Sequence, residues 1–69
     1  MVEVFKTNVQ EADKSKILIQ KLLEHFPSSR INFDLDDCDK ILRVEGKNIS
    51  PQKIIELINA RGYLCEVLS

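Results

Sequence analysis

Between positions 30 and 45 the chain alternates: Ile31, Phe33 and Leu35 are separated by polar residues, the run Asp36-Asp37-Cys38-Asp39 interrupts, and Ile41 to Val44 resumes the apolar pattern. A period of two puts Ile31, Phe33 and Leu35 on one face of a strand and lets Leu42 and Val44 match them on a returning strand, so the segment predicts a β-hairpin. A helical pattern and a short apolar stretch flank the hairpin on each side, which places it in the middle of one sheet. Residues 1–5 also alternate, with Val2 and Val4 sharing a face, and predict a short strand. The polar stretch 6–11 then links strand to helix, and Asn8 stands three residues before Glu11, the spacing of a capping box.

From 12 to 26 apolar or small residues recur at 12, 15, 19, 22, 23 and 26, with Leu18 widening the stripe, which predicts an amphipathic helix. Pro27 stops it, because proline disfavours helical geometry in the residue before it. Ile17 falls outside the stripe and reads as a surface isoleucine. After the hairpin, Gly46-Lys47-Asn48 reads as a turn, and Ser50-Pro51 as a helix start with a serine cap and proline in the first turn. Ile54, Ile55, Leu57 and Ile58 form the apolar stripe of a second helix, which Gly62 ends at a left-handed position. Residues 63–68 predict a last strand with Tyr63, Cys65 and Val67 on one face and Leu64 and Leu68 on the other. The order is β-α-β-β-α-β. Right-handed crossovers put both helices on one face of a four-stranded antiparallel sheet, the α+β ferredoxin-like sandwich. The loop 6–11, the acidic turn and the Gly62-Tyr63 corner are then expected at the same end.

Length and composition narrow the classes. A chain of 69 residues is expected to be one domain spanning 1–69, with no room for a deep catalytic cleft. Ten basic against eleven acidic residues leave a net charge of −1, without the one-sided basic field that phosphate backbones attract, so nucleic acid is not expected as a partner. No run is long and apolar enough for a membrane span, and residues 1–9 lack the core of a signal peptide, so a cytoplasmic address without a membrane partner is expected. Two cysteines without paired spacing read as reduced thiols rather than a disulfide framework.

The end of the chain, Ile58-Asn59-Ala60-Arg61-Gly62-Tyr63 into Cys65-Glu66-Val67, resembles the second helix, Gly-Tyr corner and last strand of the heavy-metal-associated domain, the small module of copper chaperones and metal-transporting ATPases. Ile19, Leu22, Leu23 and Phe26 are similar to the buried positions of that family's first helix, and the resemblance covers nearly the whole chain. It implies the ferredoxin-like fold. The family binds a soft monovalent metal through Met-Thr-Cys-x-x-Cys at the start of helix 1, where two thiolates suit Cu(I). Counting back from the helix stripe places those cysteines at Ala12 and Ser15, and the span 6–16 contains no Cys, His or Met. The resemblance therefore extends to the scaffold and stops at the metal site. Tyr63 matches the aromatic beside the family's metal loop and reads first as a packing tyrosine, second as a ligand contact.

Other residues offer chemistry of their own. Cys38 is the thiol expected to be exposed; Asp36, Asp37 and Asp39 around it disfavour a thiolate. It reads first as a plain turn cysteine, then as a redox or metal-contacting thiol, then as half of an intermolecular disulfide. Cys65 reads as a small core residue. Asp34, Asp36, Asp37 and Asp39 offer oxygen to a hard cation, but the spacing misses the EF-hand pattern, and a solvated turn that discourages edge pairing accounts for them. His25, the sole histidine, stands near a helix C-terminus and at the opposite end from the acidic turn. No second histidine, phosphate loop or serine elbow completes a nucleophile-base pair, so no catalytic residue and no cofactor is expected. RNA-recognition modules share the fold but display aromatics on their strands, whereas the open face here is expected to carry Lys, Glu and Arg. A small acyl-phosphate phosphatase on the fold needs an arginine and an asparagine converging on an anion; Arg30 and Asn8 are present without a supporting motif.

The leading expectation is a non-enzymatic binding or interaction module, a monomer or weak homodimer, on a heavy-metal-associated-like scaffold with a degenerate metal site. It would contact a protein partner, with Tyr63 and Cys38 as candidate contact residues. The alternative is a metal-handling protein in which two chains each supply the Cys38 thiolate.

Overall fold

The computed structural model describes residues 1–68. Six elements follow one another: β1 (Val2–Thr7), α1 (Ala12–His25), β2 (Arg30–Asp34), β3 (Ile41–Glu45), α2 (Pro51–Ala60) and β4 (Cys65–Val67). The strands form one sheet in the order β2-β3-β1-β4, every pair antiparallel, and with the two helices they make the α+β ferredoxin-like sandwich. The hairpin has the expected register, Ile31 opposite Val44 and Phe33 opposite Leu42. Its position differs from expectation. β1 inserts between β3 and β4, so β3 is interior while β2 is an edge strand.

Phe5 from β1, Leu42 and Val44 from β3, Leu18 and Leu22 from α1, and Ile54 and Ile58 from α2 form one buried cluster. A side chain of this size contributes roughly 1.5–3 kcal/mol when fully removed from water, so these positions hold the two helices onto the sheet. In β1 the expected apolar face proves to be the outer one. Phe5 and Thr7 point inward, whereas Val2 is half exposed and Val4 only partly covered. The reason is parity, since the strand continues to Thr7 and its inward positions are odd-numbered. The α1 stripe likewise centres on Ser15, Leu18 and Leu22, with Ile19 and Leu23 at its margin and Ala12 exposed. Ile17 lies at the surface as expected. Two apolar residues outside the regular elements, Val9 and Ile49, join the core and fasten the loops that precede the helices.

The helix ends differ in their chemistry. Ser50 Oγ accepts the Lys53 N–H at 3.3 Å with Pro51 in the first turn, as the sequence predicts. At the other end of α2 the Gly62 N–H donates to the Asn59 carbonyl (2.9 Å) and the Tyr63 N–H to the Ile58 carbonyl (3.3 Å), with Gly62 at φ +91°. This paired closure needs a left-handed residue, which glycine supplies without a Cβ penalty. The expected Asn8–Glu11 capping box is not formed: Glu11 is the N-cap of α1 and makes no side-chain cap bond, because the Asn8 amide is engaged elsewhere. β4 is three residues long rather than six. Tyr63 belongs to the corner that closes α2, and Leu64 is bound to Asn8 instead of to a strand. Among the described residues no helix is long and apolar enough to cross a membrane.

Candidate functional site

The three loops expected at one end are joined there by hydrogen bonds from Thr7 and Asn8, at the junction of β1 and α1. Toward the acidic turn, the Thr7 N–H donates to the Asp39 carbonyl at 3.1 Å and the Thr7 hydroxyl to the Lys40 carbonyl. The same hydroxyl accepts the Val9 N–H at 3.3 Å, so a buried polar side chain is satisfied as donor and acceptor. Toward the α2–β4 corner, Asn8 Oδ1 accepts the Leu64 N–H at 2.9 Å. Among the described residues no hydrogen bond or ion pair runs directly from turn to corner. Both are positioned through Thr7 and Asn8.

The acidic turn is internally ordered. Asp37 Oδ1 accepts the Asp39 N–H at 2.8 Å, the Lys40 N–H donates to the Asp37 carbonyl at 3.0 Å, and Lys40 adopts φ +48°. Its ammonium donates to the Leu35 carbonyl at 2.8 Å, and Lys6 Nζ lies 3.8 Å from Asp39 Oδ1. Two of the four carboxylates are thus engaged within the turn or with lysine, while Asp34 and Asp36 face solvent. Cys38 is exposed, and ligand atoms of Asp37, Cys38 and Asp39 all lie within 4.8 Å of one another. The set mixes two hard oxygens with one soft sulfur; the Lys6 ammonium competes for Asp39, and Asp37 Oδ1 already accepts the Asp39 N–H.

Both cysteines are free. Cys65 packs against the core, and its thiol is pushed up to about 11, first by burial and then by the neighbouring Glu66 carboxylate. The positions corresponding to the resembled family's thiolates carry Ala12, exposed, and Ser15, buried, whose hydroxyl donates to the Ala12 carbonyl at 2.7 Å. Tyr63 is half buried against the core. Beside it Leu64 is 69% exposed. It lines a cavity of about 340 Å³ with Lys6, Asn8, Asn59 and Cys65. The sequence pattern did not single out this cavity or the Thr7 and Asn8 latch that frames it. A polar β-branched residue at an inward strand position, Thr7, was the one available signal.

Arg30 and Asn8 do not converge. Arg30 begins β2 and pairs with Glu45, which lies opposite Val2 at the far end of the sheet, whereas Asn8 follows the last residue of β1. His25 is exposed at the end of α1, in that same far region. The outward positions of the strands are largely charged or polar, with Lys6, Arg43, Glu45 and Glu66 among them. No family model matches the chain, and no curated protein or solved structure compared with it is a match.

Proposed function

We propose that the chain is a non-enzymatic interaction module, a heavy-metal-associated-like scaffold without its thiolate pair, which meets a protein partner at the end where the loops converge. The observation that carries this reading is Leu64: a large apolar side chain held 69% exposed beside a cavity, on a backbone already fixed by Asn8. An exposed apolar group on an ordered loop loses little further conformational entropy on binding, which favours association. The surrounding side chains are the Asn8 and Asn59 amides, the Thr7 hydroxyl, the Cys65 thiol raised by burial, and the charges of Lys6 and Glu66. The reading places the module in a reducing compartment such as the cytoplasm, as a monomer or weak homodimer, with no cofactor. Two measurements test it. Titration with Cu(I) under reducing conditions is expected to show no tight site, and sub-micromolar binding of one equivalent per chain would overturn the loss of the metal site. A photo-crosslinking residue at position 64 is expected to capture proteins that the same residue at position 17 does not; identical capture at both positions would remove the loop end from the proposal.

A second reading rests on Cys38, exposed and within 4.8 Å of two carboxylates. Two chains would each give one thiolate to a shared soft metal. It requires metal-dependent dimerisation that is abolished in Cys38→Ser.

A further inference from the structure

A second cavity lies at the end of the sheet away from the loop latch, where α1 runs out, β2 begins and the turn after β3 crosses over. It is an open groove of about 750 Å³, within the range that accommodates small ligands. Three basic side chains line it: His25 from the last turn of α1, Arg30 from the first position of β2, and Lys47 from the turn. None of the three makes a side-chain hydrogen bond, or an ion pair within 4.0 Å, among the described residues. The hydroxyls of Ser28 and Ser29 and the Asn48 amide add neutral donors, also without partners among the described residues.

Against an anion stand one carboxylate, Glu45, and the carbonyl end of α1. The side chains still sum to a positive charge whether His25 is protonated or neutral. Gly46, also in the lining, lets the turn lie close to its neighbours: a Cβ there would come within 2.9 Å of Ser29 Oγ and 3.3 Å of Ile49 Cδ1. On one side the half-buried Phe26 ring and Pro27 give an apolar wall. The groove therefore presents a guanidinium and an ammonium near hydroxyl donors, next to an aromatic ring. A planar fork with several N–H donors matches the geometry of phosphate oxygens, and an aromatic face supports a planar ring by stacking.

We infer that this groove binds a small molecule carrying a phosphate monoester next to a planar ring, with Arg30 and Lys47 on the phosphate and Phe26 against the ring. It is independent of the protein contact proposed for the opposite end.

Amide NMR of the whole chain, titrated in low-salt buffer with AMP, adenosine and inorganic phosphate in turn, tests the assignment. AMP is expected to shift the amides of Phe26, Ser28 to Arg30 and Gly46 to Asn48 saturably. Inorganic phosphate should shift the subset near Arg30 and Lys47 more weakly, and adenosine should produce little. Arg30→Ala with Lys47→Ala should weaken AMP about tenfold, as expected for loss of charge-assisted contacts, whereas Arg30→Lys with Lys47→Arg should retain most of the affinity. Both pairs alter exposed positions, and their unperturbed spectra elsewhere report that the fold is intact. Shifts that do not saturate, that scatter over the surface, that are matched by adenosine, or that survive the double alanine change would overturn the inference.

Discussion

The side-chain oxygen of Asn8 accepts the backbone N–H of Leu64 at 2.9 Å, joining positions 56 residues apart in sequence. The bond binds the loop before α1 to the corner after α2, and it fixes the backbone of Leu64, the exposed apolar side chain that lines the cavity of about 340 Å³. Asn8→Ala removes the acceptor and leaves the Leu64 N–H to solvent. A loss of about 1 kcal/mol in urea unfolding is expected, typical of one neutral hydrogen bond. Hydrogen exchange at Leu64 should accelerate more than at any β1 amide. Asn8→Asp, which keeps the oxygen, should preserve the protection.

The two thiols are expected to behave differently. Cys38 is exposed, whereas the Cys65 thiol is raised from 9.0 to about 11 by burial and by Glu66. Because the thiolate is the nucleophile, a disulfide reagent at about pH 8 should label Cys38 first and Cys65 only slowly, as thiolate there amounts to roughly one part in a thousand. The sign for stability follows from linkage. The folded chain holds the Cys65 proton more tightly than the unfolded chain, so this contribution is complete below 9.0 and is lost as pH rises toward 11. Urea midpoints measured across that window should fall less steeply for Cys65→Ala than for the parent. Equal slopes would mean that the thiol is not held protonated by the fold.

Burial ranks the apolar residues by what their loss should do. Phe5 is fully buried at the centre of the sheet and Leu64 is 69% exposed. A chain of this length is expected to have roughly 3–10 kcal/mol of stability in total. Phe5→Ala should remove about 3–5 kcal/mol, enough to unfold much of the population at room temperature by circular dichroism. Leu64→Ser should change stability by less than about 0.5 kcal/mol. A Leu64→Ser variant that unfolded like Phe5→Ala would show that Leu64 packs within the fold and is not free to meet a partner.

What the sequence conveyed was the part of the fold written in local periods. The alternation of Ile31, Phe33 and Leu35 carries the β2–β3 register, and Ser50-Pro51 with Gly62 brackets α2 at both ends. Where a side chain had two competing uses, local pattern gave the wrong one. Asn8 has the spacing of a helix cap, yet its partner is Leu64, which no short-range rule connects to it. Val2 and Val4 share a face, but which face is buried depends on Phe5 and Thr7, and hence on pairing with β3 and β4. Val9 and Ile49 are single apolar residues in loops, where no period exists to reveal burial. The groove between α1 and the turn after β3 is likewise assembled from residues about 20 positions apart, and topology alone brings them together.

The resemblance to the heavy-metal-associated scaffold makes a positional claim that can be tested by addition. It sets that family's two thiolate positions against Ala12 and Ser15, in the first turn of α1. On a helix, residues three apart lie on neighbouring positions with Cβ atoms about 5–6 Å apart, close enough for two thiolates to share one soft ion. Ser15 is buried and its hydroxyl bonds the Ala12 carbonyl, while Ala12 is exposed, so thiols at 12 and 15 would stand at the boundary between core and solvent. The helix N-terminus adds partial positive charge that lowers a thiol's pKa and favours the metal-binding form. Ala12→Cys with Ser15→Cys should therefore bind one equivalent of Cu(I) under reducing conditions, while either single change and the parent chain should bind far more weakly. If the double variant folds, as judged by its amide spectrum, and still fails to hold Cu(I) better than the parent, the mapping of the family's metal loop onto this chain is wrong.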